Sequence, residues 1–353
     1  MNVIGIETSC DETAASVVVD GKKMLSNVIA SSVDQHKIYG GVVPELAARN
    51  HIQTIIPVIE ASLGQANFNW KDIDAIAVTY GPGLSGCLLI GVMTARTLAL
   101  AKNLPLYGVD HVMGHMYANF ITSTPLKNYV LPKVQPKFPI LALIVSGGHS
   151  QLVLFKNHFD YQLLGQTKDD AIGEAFDKVA KIIGLPYPGG PNIAKLALDG
   201  DDQKYSLPKS KMESEFDFSF SGIKTAVLRL SQEIIGEDYR FPSHKVPKRL
   251  ILSQKADIAA SFQRVAIETV VDKALLAFNL YSPKTFVIAG GVASNEELRK
   301  QVHQKFPIKT IFIDPKLCTD NGAMIASLGY YQATHNIRLA DPLNLSIEPN
   351  LSM

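Results

Sequence analysis

The sequence has little of what marks secreted, membrane-spanning or nucleic-acid-coating proteins. Only three of its 353 residues are cysteine, an odd number spread far apart, which favours a reduced intracellular protein over a disulfide framework. Charged residues make up 19% and the formal net charge is +1, so no global attraction to nucleic acid is expected. No apolar run reaches the roughly 20 residues of a membrane span, and no basic presequence precedes the first predicted strand. We therefore expect a cytoplasmic protein with no membrane contact.

Two catalytic signatures are also missing. Residues 81–86, GPGLSG, lack the Gly-Lys-Ser/Thr of a P-loop. They join a predicted strand to an apolar helix, and they either offer backbone N–H groups to a phosphate or only allow close strand-helix packing. His111 and His115 have the spacing of a zinc peptidase, but Val112 stands where its HExxH motif needs the glutamate that acts as general base. The peptidase interpretation therefore lacks a mechanism.

What the sequence does contain is 46% hydrophobic residues and two similar hairpin patterns. Residues 3–19 and 141–155 each read as an apolar run, a short turn and a second apolar run. Such a repeat predicts two similar lobes whose polar turns face a shared cleft. Strands alternate with helices along the rest of the chain, which predicts an α/β fold. We expect residues 1–138 with 321–353 to form the first lobe and residues 139–320 the second.

The histidine pair is a candidate metal site. Residues four apart lie on one face of a helix, and this pair directly follows a predicted strand, where active groups of α/β sheets usually lie. Asp320, on a polar turn after another strand, is the best candidate for a third ligand. Two histidines and one carboxylate leave coordination positions open and suit Fe(II) or Zn(II). The alternative is that His111 and His115 are ordinary helix-surface residues.

Four other polar segments have two interpretations each. Asp11 and Glu12 could orient a metal, a phosphate or a water, or form an Asx turn. The turn at 146–148 could offer N–H groups to a phosphate or simply close a hairpin. Asp177 is by default a solvated charge, and it would be a ribose or hydroxyl acceptor only if it faced the cleft. Residues 233–255, which are rich in basic side chains, are either a solvated insertion or a tRNA-facing patch.

Three local predictions concern glycine- and phenylalanine-rich segments. Residues 285–289 should form a strand, followed by a helix that Ser294 and Glu297 cap as a capping box. Residues 216–224, FDFSFSGIK, alternate as a strand does. Residues 187–191, YPGGP, should not form regular structure.

These features together resemble the tRNA threonylcarbamoyladenosine transferase family of the bacterial TsaD type. The resemblance covers about residues 2–330 and rests on nine motifs in order. They are ETSCDET at 7–13, HKIYGGVVPELAAR at 36–49, GPGLSG at 81–86, DHVMGH at 110–115, IVSGGHS at 144–150, GEAFDKVAK at 173–181, PYPGGP at 186–191, FSFSGIKTAV at 218–227 and GGVASN at 290–295.

The resemblance implies a fold and a reaction. The fold would be two duplicated RNase H-like lobes of the actin, sugar kinase and heat-shock ATPase superfamily, with a cleft between them. The reaction would transfer a threonylcarbamoyl group from threonylcarbamoyl-AMP to N6 of the adenosine next to the anticodon, in tRNAs reading codons that begin with A. Adenosine N6 is a poor nucleophile because its lone pair is delocalised, which agrees with an adenylate-activated donor and a metal that polarises its carbonyl.

The resemblance also implies site residues. The metal ligands would be His111, His115 and Asp320, with Fe(II) the expected ion and Zn(II) the alternative. Asp11 would lie near phosphate and metal and join the two histidines as a catalytic residue. Many members carry an aspartate where this chain has Ala194. The adenylate-binding positions would be Ile144, Val145, Ser146, Gly147, Gly148, Asp177, Gly190 and Asn295.

The implied partners are tRNA, threonylcarbamoyl-AMP and ATP, with three proteins: a paralogous TsaB-type subunit, a TsaE-type P-loop ATPase and a TsaC-type enzyme that makes the adenylate. Two rival functions remain open. A small-molecule kinase of the same fold would use Asp11 or another carboxylate as its base and need no metal held by the two histidines. A regulatory ATPase or scaffold would keep the glycine turns but tolerate loss of the metal ligands.

Overall fold

The computed structural model describes residues 1–210, 212–308 and 310–353. These residues divide into two compact units, Met1–Lys137 with Ile311–Met353, and Phe138–Thr310. Residues 311–320, which the sequence-based division places in the second lobe, group here with the first unit. Asp320 therefore belongs to the same unit as His111 and His115.

Strands and helices alternate as an α/β fold requires. In chain order the strands are β1 (Asn2–Glu7), β2 (Glu12–Val19), β3 (Lys23–Met24), β4 (Val28–Ser31), β5 (Ala75–Gly81), β6 (Leu106–Asp110), β7 (Ile140–Val145), β8 (Ser150–Asn157), β9 (Asp160–Gln166), β10 (Thr285–Ala289) and β11 (Ile311–Phe312). The helices are α1 (Val33–His36), α2 (Pro44–Ala66), α3 (Ser85–Lys102), α4 (His111–Tyr117), α5 (Ile172–Ile183), α6 (Gly189–Ala197), α7 (Ser221–Ile234), α8 (Leu252–Tyr281), α9 (Glu296–Lys305), α10 (Pro315–Cys318) and α11 (Gly322–Thr334).

The first unit is built on a sheet with strand order β3-β2-β1-β5-β6, and β4 also pairs with β2. β1 and β2 form the first predicted hairpin, in which Asn2 is opposite Val19 and Glu7 is opposite Ala14. β5 and β6 continue the sheet in parallel. Near-continuous apolar residues suit these strands because helices cover both faces of the sheet.

The two faces of β1 pack differently. Ile4 and Ile6 share a core with apolar residues of α2 and α3, such as Ile59 and Val92. Gly5, on the opposite face, lies against α11, and a methyl group there would collide with backbone atoms of that helix. The close approach of α11 to β1 therefore depends on the missing side chain at position 5.

The glycine-rich segment between β5 and α3 supports the packing interpretation of residues 81–86. Gly83 N–H donates to the carbonyl of Pro349 (3.1 Å), and Leu84 N–H donates to the carbonyl of Ser9 (2.8 Å). A methyl group at Gly83 would lie 2.7 Å from that same Ser9 oxygen. Since these two amides already have backbone partners, they are not available to a phosphate.

Helix α3 is the one helix among the described residues that is long and apolar enough to pass as a membrane span by length and composition. Its inner side, including Cys87, Val92 and Ala95, is buried, and Val92 and Ala95 belong to the core shared with α2 and the sheet. Only 33% of its apolar window is buried, and Leu89, Met93 and Leu100 on its outer side are exposed.

In the second unit, β7 and β8 form the second predicted hairpin, with Ile140 opposite Phe155 and Val145 opposite Ser150. β10 pairs with β7 in parallel, and β9 pairs with β8 antiparallel. Helix α8 packs against α6 and α9. The core there includes Phe176 and Phe262, whose rings meet edge to face at 4.9 Å between centroids. Both hairpins predicted from the sequence are confirmed.

The strand predicted at 216–224 is wrong. Phe216, Phe218 and Phe220 are buried as the alternation required, but the segment forms no strand before α7 beyond an isolated bridge between Phe218 and Thr167. The carboxylate of Asp169 accepts hydrogen bonds from Phe220 N–H (2.8 Å) and Ser221 N–H (3.3 Å). That contact satisfies the free amides of a helix start, so the chain turns helical at Ser221.

Two other local predictions are also wrong. Helix α6 begins within YPGGP, at Gly189, because Pro191 lies in the first turn, where a missing N–H costs nothing. The cap of α9 is Asn295 rather than Ser294. The Ser294 hydroxyl donates instead to the Gly291 carbonyl (2.7 Å).

Candidate functional site

His111 and His115 lie on α4, directly after β6. Asp110, the last residue of β6, caps this helix, since its carboxylate accepts a hydrogen bond from Met113 N–H (2.9 Å). The helix therefore begins at His111, and the four-residue spacing places both imidazoles on one face. Their ring centroids are 4.7 Å apart, and both side chains are buried.

Asp320 joins the two histidines from a separate element, the turn before α11. Its Oδ1 lies 3.5 Å from His111 Nε2 and 3.4 Å from His115 Nε2. One ligand atom from each of the three residues lies within 4.8 Å of the others. Two ligands about 2.1 Å from a metal at the tetrahedral angle are about 3.4 Å apart, so these contacts fit one first-row divalent ion. The structure thus brings the three predicted ligands together.

His115 gives an independent indication of a cation. Both of its ring nitrogens are buried without a hydrogen-bond partner. A buried polar group left unpaired costs about 1–3 kcal/mol, and buried side chains rarely remain so. A metal ion facing Nε2 would satisfy the nitrogen that points to Asp320. The residues present therefore fit a divalent metal.

Glu7, at the end of β1, contacts the other nitrogen of His111. Its Oε2 lies 3.0 Å from His111 Nδ1 and accepts a hydrogen bond from the Thr79 hydroxyl (2.5 Å). Its Oε1 accepts a hydrogen bond from Ser9 N–H. Glu7 is not among the site residues predicted from the sequence. The signal that could have found it is a carboxylate at the end of an otherwise apolar, buried strand.

Glu7 and His111 shift each other's protonation. Burial alone would raise the pKa of Glu7 and lower that of His111, but their mutual attraction outweighs it. The pKa of Glu7 is therefore lowered, and the charges of Glu7 and then Asp320 raise the pKa of His111 to about 10. A cation binds only an unprotonated Nε2, so the affinity of this site for a metal should depend on pH.

The turn between β1 and β2 carries the predicted catalytic residue Asp11. The carbonyl of Asp11 accepts hydrogen bonds from Ser32 N–H (3.0 Å) and the Ser32 hydroxyl (2.9 Å). The preceding carbonyl, of Cys10, lies 3.0 Å from His51 Nε2. Burial, with the nearby charges of Asp320 and Asp11, raises the pKa of Glu12 to about 9. The turn is therefore held by its backbone and brings carboxyl groups close to Asp320, where a bound cation would favour the ionised form of Glu12.

In the second unit, the turn between β7 and β8 has exposed backbone. Ser146 N–H donates to the His149 carbonyl (2.8 Å), and His149 N–H donates to the Ser146 hydroxyl (3.1 Å). A methyl group at Gly147 or Gly148 would meet nothing within 4 Å. These two glycines therefore leave space in which a phosphate or nucleoside can approach the backbone. Ile144 and Val145 are buried in β7, so only their backbone can face a ligand.

The end of β10 lies against this turn. Gly290 has φ +88° and ψ 164°, and a methyl group there would collide with the Val145 carbonyl. Asn295 follows and caps α9, since its side-chain oxygen accepts a hydrogen bond from Leu298 N–H (3.1 Å) while its amide donates to Gln263 (3.0 Å). The side chain of Asn295 is therefore held in place by two protein contacts.

Asp177 is not the solvated charge that its helical position indicated. Its Oδ1 accepts a hydrogen bond from Gly189 N–H (2.6 Å), at the first residue of α6. A methyl group at Gly189 would lie 2.6 Å from the Asp177 Cα atom, whereas one at Gly190 would meet nothing within 4 Å. At the start of α5, Gly173 N–H donates to the Ser146 carbonyl (3.2 Å). The predicted adenylate-binding positions thus lie on connected elements of the second unit, and their role in binding stays a prediction.

Alanine at Gly290 and at Gly147 should have different effects. Gly290→Ala is expected to lower the free energy of unfolding by about 2–4 kcal/mol, because its backbone conformation is nearly exclusive to glycine and the added methyl group has no space. Gly147→Ala should change it by less than about 0.5 kcal/mol, since the methyl group faces open space. Urea denaturation measures both values. Binding of an AMP analogue should weaken in Gly147→Ala, and an unchanged affinity would contradict the predicted role of this turn.

Solved structures share the fold of this chain. HypF from T. kodakarensis matches it with a TM-score of 0.57 at 14% identity, over 95% of this chain and 48% of that one. The activator of 2-hydroxyisocaproyl-CoA dehydratase from Clostridium difficile, with bound ADPNP, matches with a TM-score of 0.50 at 13% identity, over 95% of this chain and 97% of that one. The chain therefore has the α/β fold of these proteins, and its first unit carries a histidine-histidine-aspartate cluster.

Sequence comparisons narrow this class to a family. The family model TsaD, tRNA N6-adenosine threonylcarbamoyltransferase, matches residues 23–327. The tRNA N6-adenosine threonylcarbamoyltransferase of Dictyoglomus turgidum is 48% identical over 99% of this chain and 98% of its own length. The tRNA N6-adenosine threonylcarbamoyltransferase of Thermomicrobium roseum is 46% identical over 100% of this chain and 97% of its own length. The chain belongs to the TsaD family of transferases, which confirms the motif resemblance and does not favour the kinase or scaffold alternatives.

Proposed function

We propose that this enzyme transfers the threonylcarbamoyl group from threonylcarbamoyl-AMP to N6 of the adenosine next to the anticodon, in tRNAs that read codons beginning with A. The observation that carries the proposal is the convergence of His111, His115 and Asp320 on one point in a chain of this family, with neither ring nitrogen of His115 hydrogen-bonded. A kinase of the same fold has no need of this cluster, because phosphoryl transfer uses Mg²⁺ held by carboxylates and phosphates.

The three residues would hold one divalent ion, Fe(II) in our proposal, with Zn(II) as the alternative. Both ions accept two imidazoles and a carboxylate and leave positions open to a substrate. Such an ion supplies Lewis-acid polarisation of an acyl carbonyl and charge stabilisation for a departing phosphate. That chemistry would make the acyl carbonyl more reactive, which the reaction requires because adenosine N6, whose lone pair is delocalised into the ring, is a weak nucleophile.

The protein's own groups would bind and orient the reactants. Asp11 is proposed to act beside the reacting groups, on a turn whose backbone is held by Ser32 and His51. The open backbone at Gly147 and Gly148 is proposed to receive the adenylate, together with backbone groups of Ile144, Val145 and Ser146. Asp177 would fix the start of α6, where the backbone of Gly190 is accessible to the adenylate. Asn295 would fix the start of α9.

We further propose that the enzyme acts in the cytoplasm with companion proteins. They are a paralogous TsaB-type subunit, a TsaE-type P-loop ATPase and a TsaC-type enzyme that supplies threonylcarbamoyl-AMP from ATP. The formal net charge of +1 provides little general attraction for tRNA, so a local patch or a companion must help to hold it.

The test mixes purified enzyme, Fe(II) or Zn(II), threonylcarbamoyl-AMP and unmodified tRNA, with and without the companions, and analyses the tRNA nucleosides by mass spectrometry. We expect threonylcarbamoyladenosine in tRNAs that read codons beginning with A and none in tRNAs that lack the target adenosine. If no modified adenosine formed with every companion present, while ATP was hydrolysed or a sugar was phosphorylated, the kinase alternative would replace this proposal.

A further inference from the structure

The carboxylate of Glu7 is held rigidly at the end of β1. Its Oε1 accepts a hydrogen bond from the backbone of Ser9, and its Oε2 accepts one from the Thr79 hydroxyl (2.5 Å). Glu7 and Thr79 are each 0% exposed, so these contacts are shielded from solvent. The third contact of this carboxylate is with His111 Nδ1, which lies 3.0 Å from Oε2.

This contact determines which nitrogen of His111 can bind a cation. An ionised carboxylate only accepts hydrogen bonds, so His111 Nδ1 must carry a hydrogen and donate it to Glu7. A neutral imidazole has one N–H, so Nε2 then keeps its lone pair. Nε2 is the nitrogen that faces Asp320 Oδ1, at 3.5 Å. Carboxylates that fix the tautomer of a metal-binding histidine in this way commonly strengthen metal affinity 10–100-fold.

We propose that Glu7 is a positioning residue that selects the Nδ1–H tautomer of His111 and so directs its Nε2 lone pair to the divalent cation. The proposal rests on the metal-binding part of the proposed function. Glu7 acts through His111 rather than by touching the cation or the substrate. The Ser9 hydroxyl, 3.1 Å from the same Nδ1, is a secondary partner, because a hydroxyl can donate as well as accept and therefore does not select a tautomer.

A glutamine at position 7 should reverse the tautomer. The Ser9 N–H is a backbone donor that cannot rotate, so the amide oxygen of glutamine must take the place of Oε1. Its NH₂ group then occupies the place of Oε2 and donates to His111 Nδ1, while the Thr79 hydroxyl rotates to accept. The single N–H of His111 moves to Nε2, where it blocks the cation. Glutamine at position 7 is thus nearly isosteric with glutamate, but it favours the Nε2–H tautomer of His111 instead of the Nδ1–H tautomer.

The experiment measures affinity of the metal-free, full-length protein for Co(II) and Zn(II) by competition with a chelator, together with the visible absorption of bound Co(II). Glu7→Gln is expected to weaken both affinities about 10–100-fold and to reduce the Co(II) absorption at a given metal concentration. Ser9→Ala should lose less than about 5-fold, because the carboxylate remains. Glu45→Gln is the matched control: Glu45 lies exposed on α2, paired with Arg49, and its replacement should leave both measurements unchanged.

The possible outcomes separate this proposal from the metal site itself. Wild-type affinity and absorption in Glu7→Gln, or equal losses in Glu7→Gln and Ser9→Ala, would overturn the role of Glu7. Absence of binding in the wild type, or equal binding by His115→Ala, would instead overturn the metal site. If Glu7→Gln did not fold, Glu7→Asp would replace it, because the shorter side chain keeps the charge but cannot hold Ser9 and reach His111 together. Wild-type affinity in Glu7→Asp would likewise count against the proposal.

Discussion

His115→Ala is expected to abolish stoichiometric binding of a divalent metal and to slow tRNA modification by at least about 10³-fold. The lost Lewis-acid stabilisation of the transition state is worth several kcal/mol, and each 1.4 kcal/mol corresponds to a tenfold change in rate. The physical reason is that both ring nitrogens of His115 are buried without hydrogen-bond partners, and Nε2 lies 3.4 Å from Asp320 Oδ1, where a shared cation would bind. Metal content by elemental mass spectrometry and single-turnover modification of tRNA measure the two effects. His111→Ala should behave in the same way.

Two comparisons make this prediction specific. Binding of an AMP analogue should change less than about 3-fold in His115→Ala, because this substitution replaces none of the predicted adenylate-binding residues. His303→Ala, on the exposed side of α9, should retain metal content and activity like the wild type. Full modification of tRNA by His115→Ala would remove this histidine, and the metal it is proposed to bind, from the mechanism.

Gly5→Ala is expected to lower the free energy of unfolding by about 3 kcal/mol or more, as overpacking against rigid backbone does when nothing can move aside. The added methyl group would collide with the carbonyl of Gly322 and the amide of Ala326, both on the buried helix α11. Displacement of α11 would also move Asp320, which lies two residues before its start. We therefore expect weaker metal binding as well as lower stability, measured by urea denaturation and chelator competition.

Gly64→Ala provides the matched control for this substitution. Gly64 lies in α2, and a methyl group there would meet nothing within 4 Å. Alanine in a helix loses less conformational entropy on folding than glycine, so this variant should gain about 0.5–1 kcal/mol of stability. Equal stabilities for Gly5→Ala and the wild type would show that α11 does not depend on the bare backbone of β1.

The elements that the sequence predicted well are those whose pattern is local. β6 and β10 have the bounds expected from their apolar runs, and both hairpins pair as expected. The prediction at 216–224 failed because alternating phenylalanines can also be buried on an irregular segment. The deciding contact was Asp169, about fifty residues earlier, which holds the start of α7. Local propensity is overridden by such contacts, and a single sequence does not show them.

The sequence by itself determined the family, the α/β class and the types and positions of the three predicted metal ligands, because motifs and apolar periods are properties of neighbouring residues. Only the tertiary structure placed Asp320 Oδ1 within 3.5 Å of both histidines and buried His115 with no hydrogen-bond partner for either ring nitrogen. Glu7 and His111 are 104 positions apart, yet their atoms lie 3.0 Å from each other. Contacts of this kind depend on how β1, β6 and α11 pack, and that packing is decided by side-chain volumes, including the absence of one at Gly5, throughout the unit.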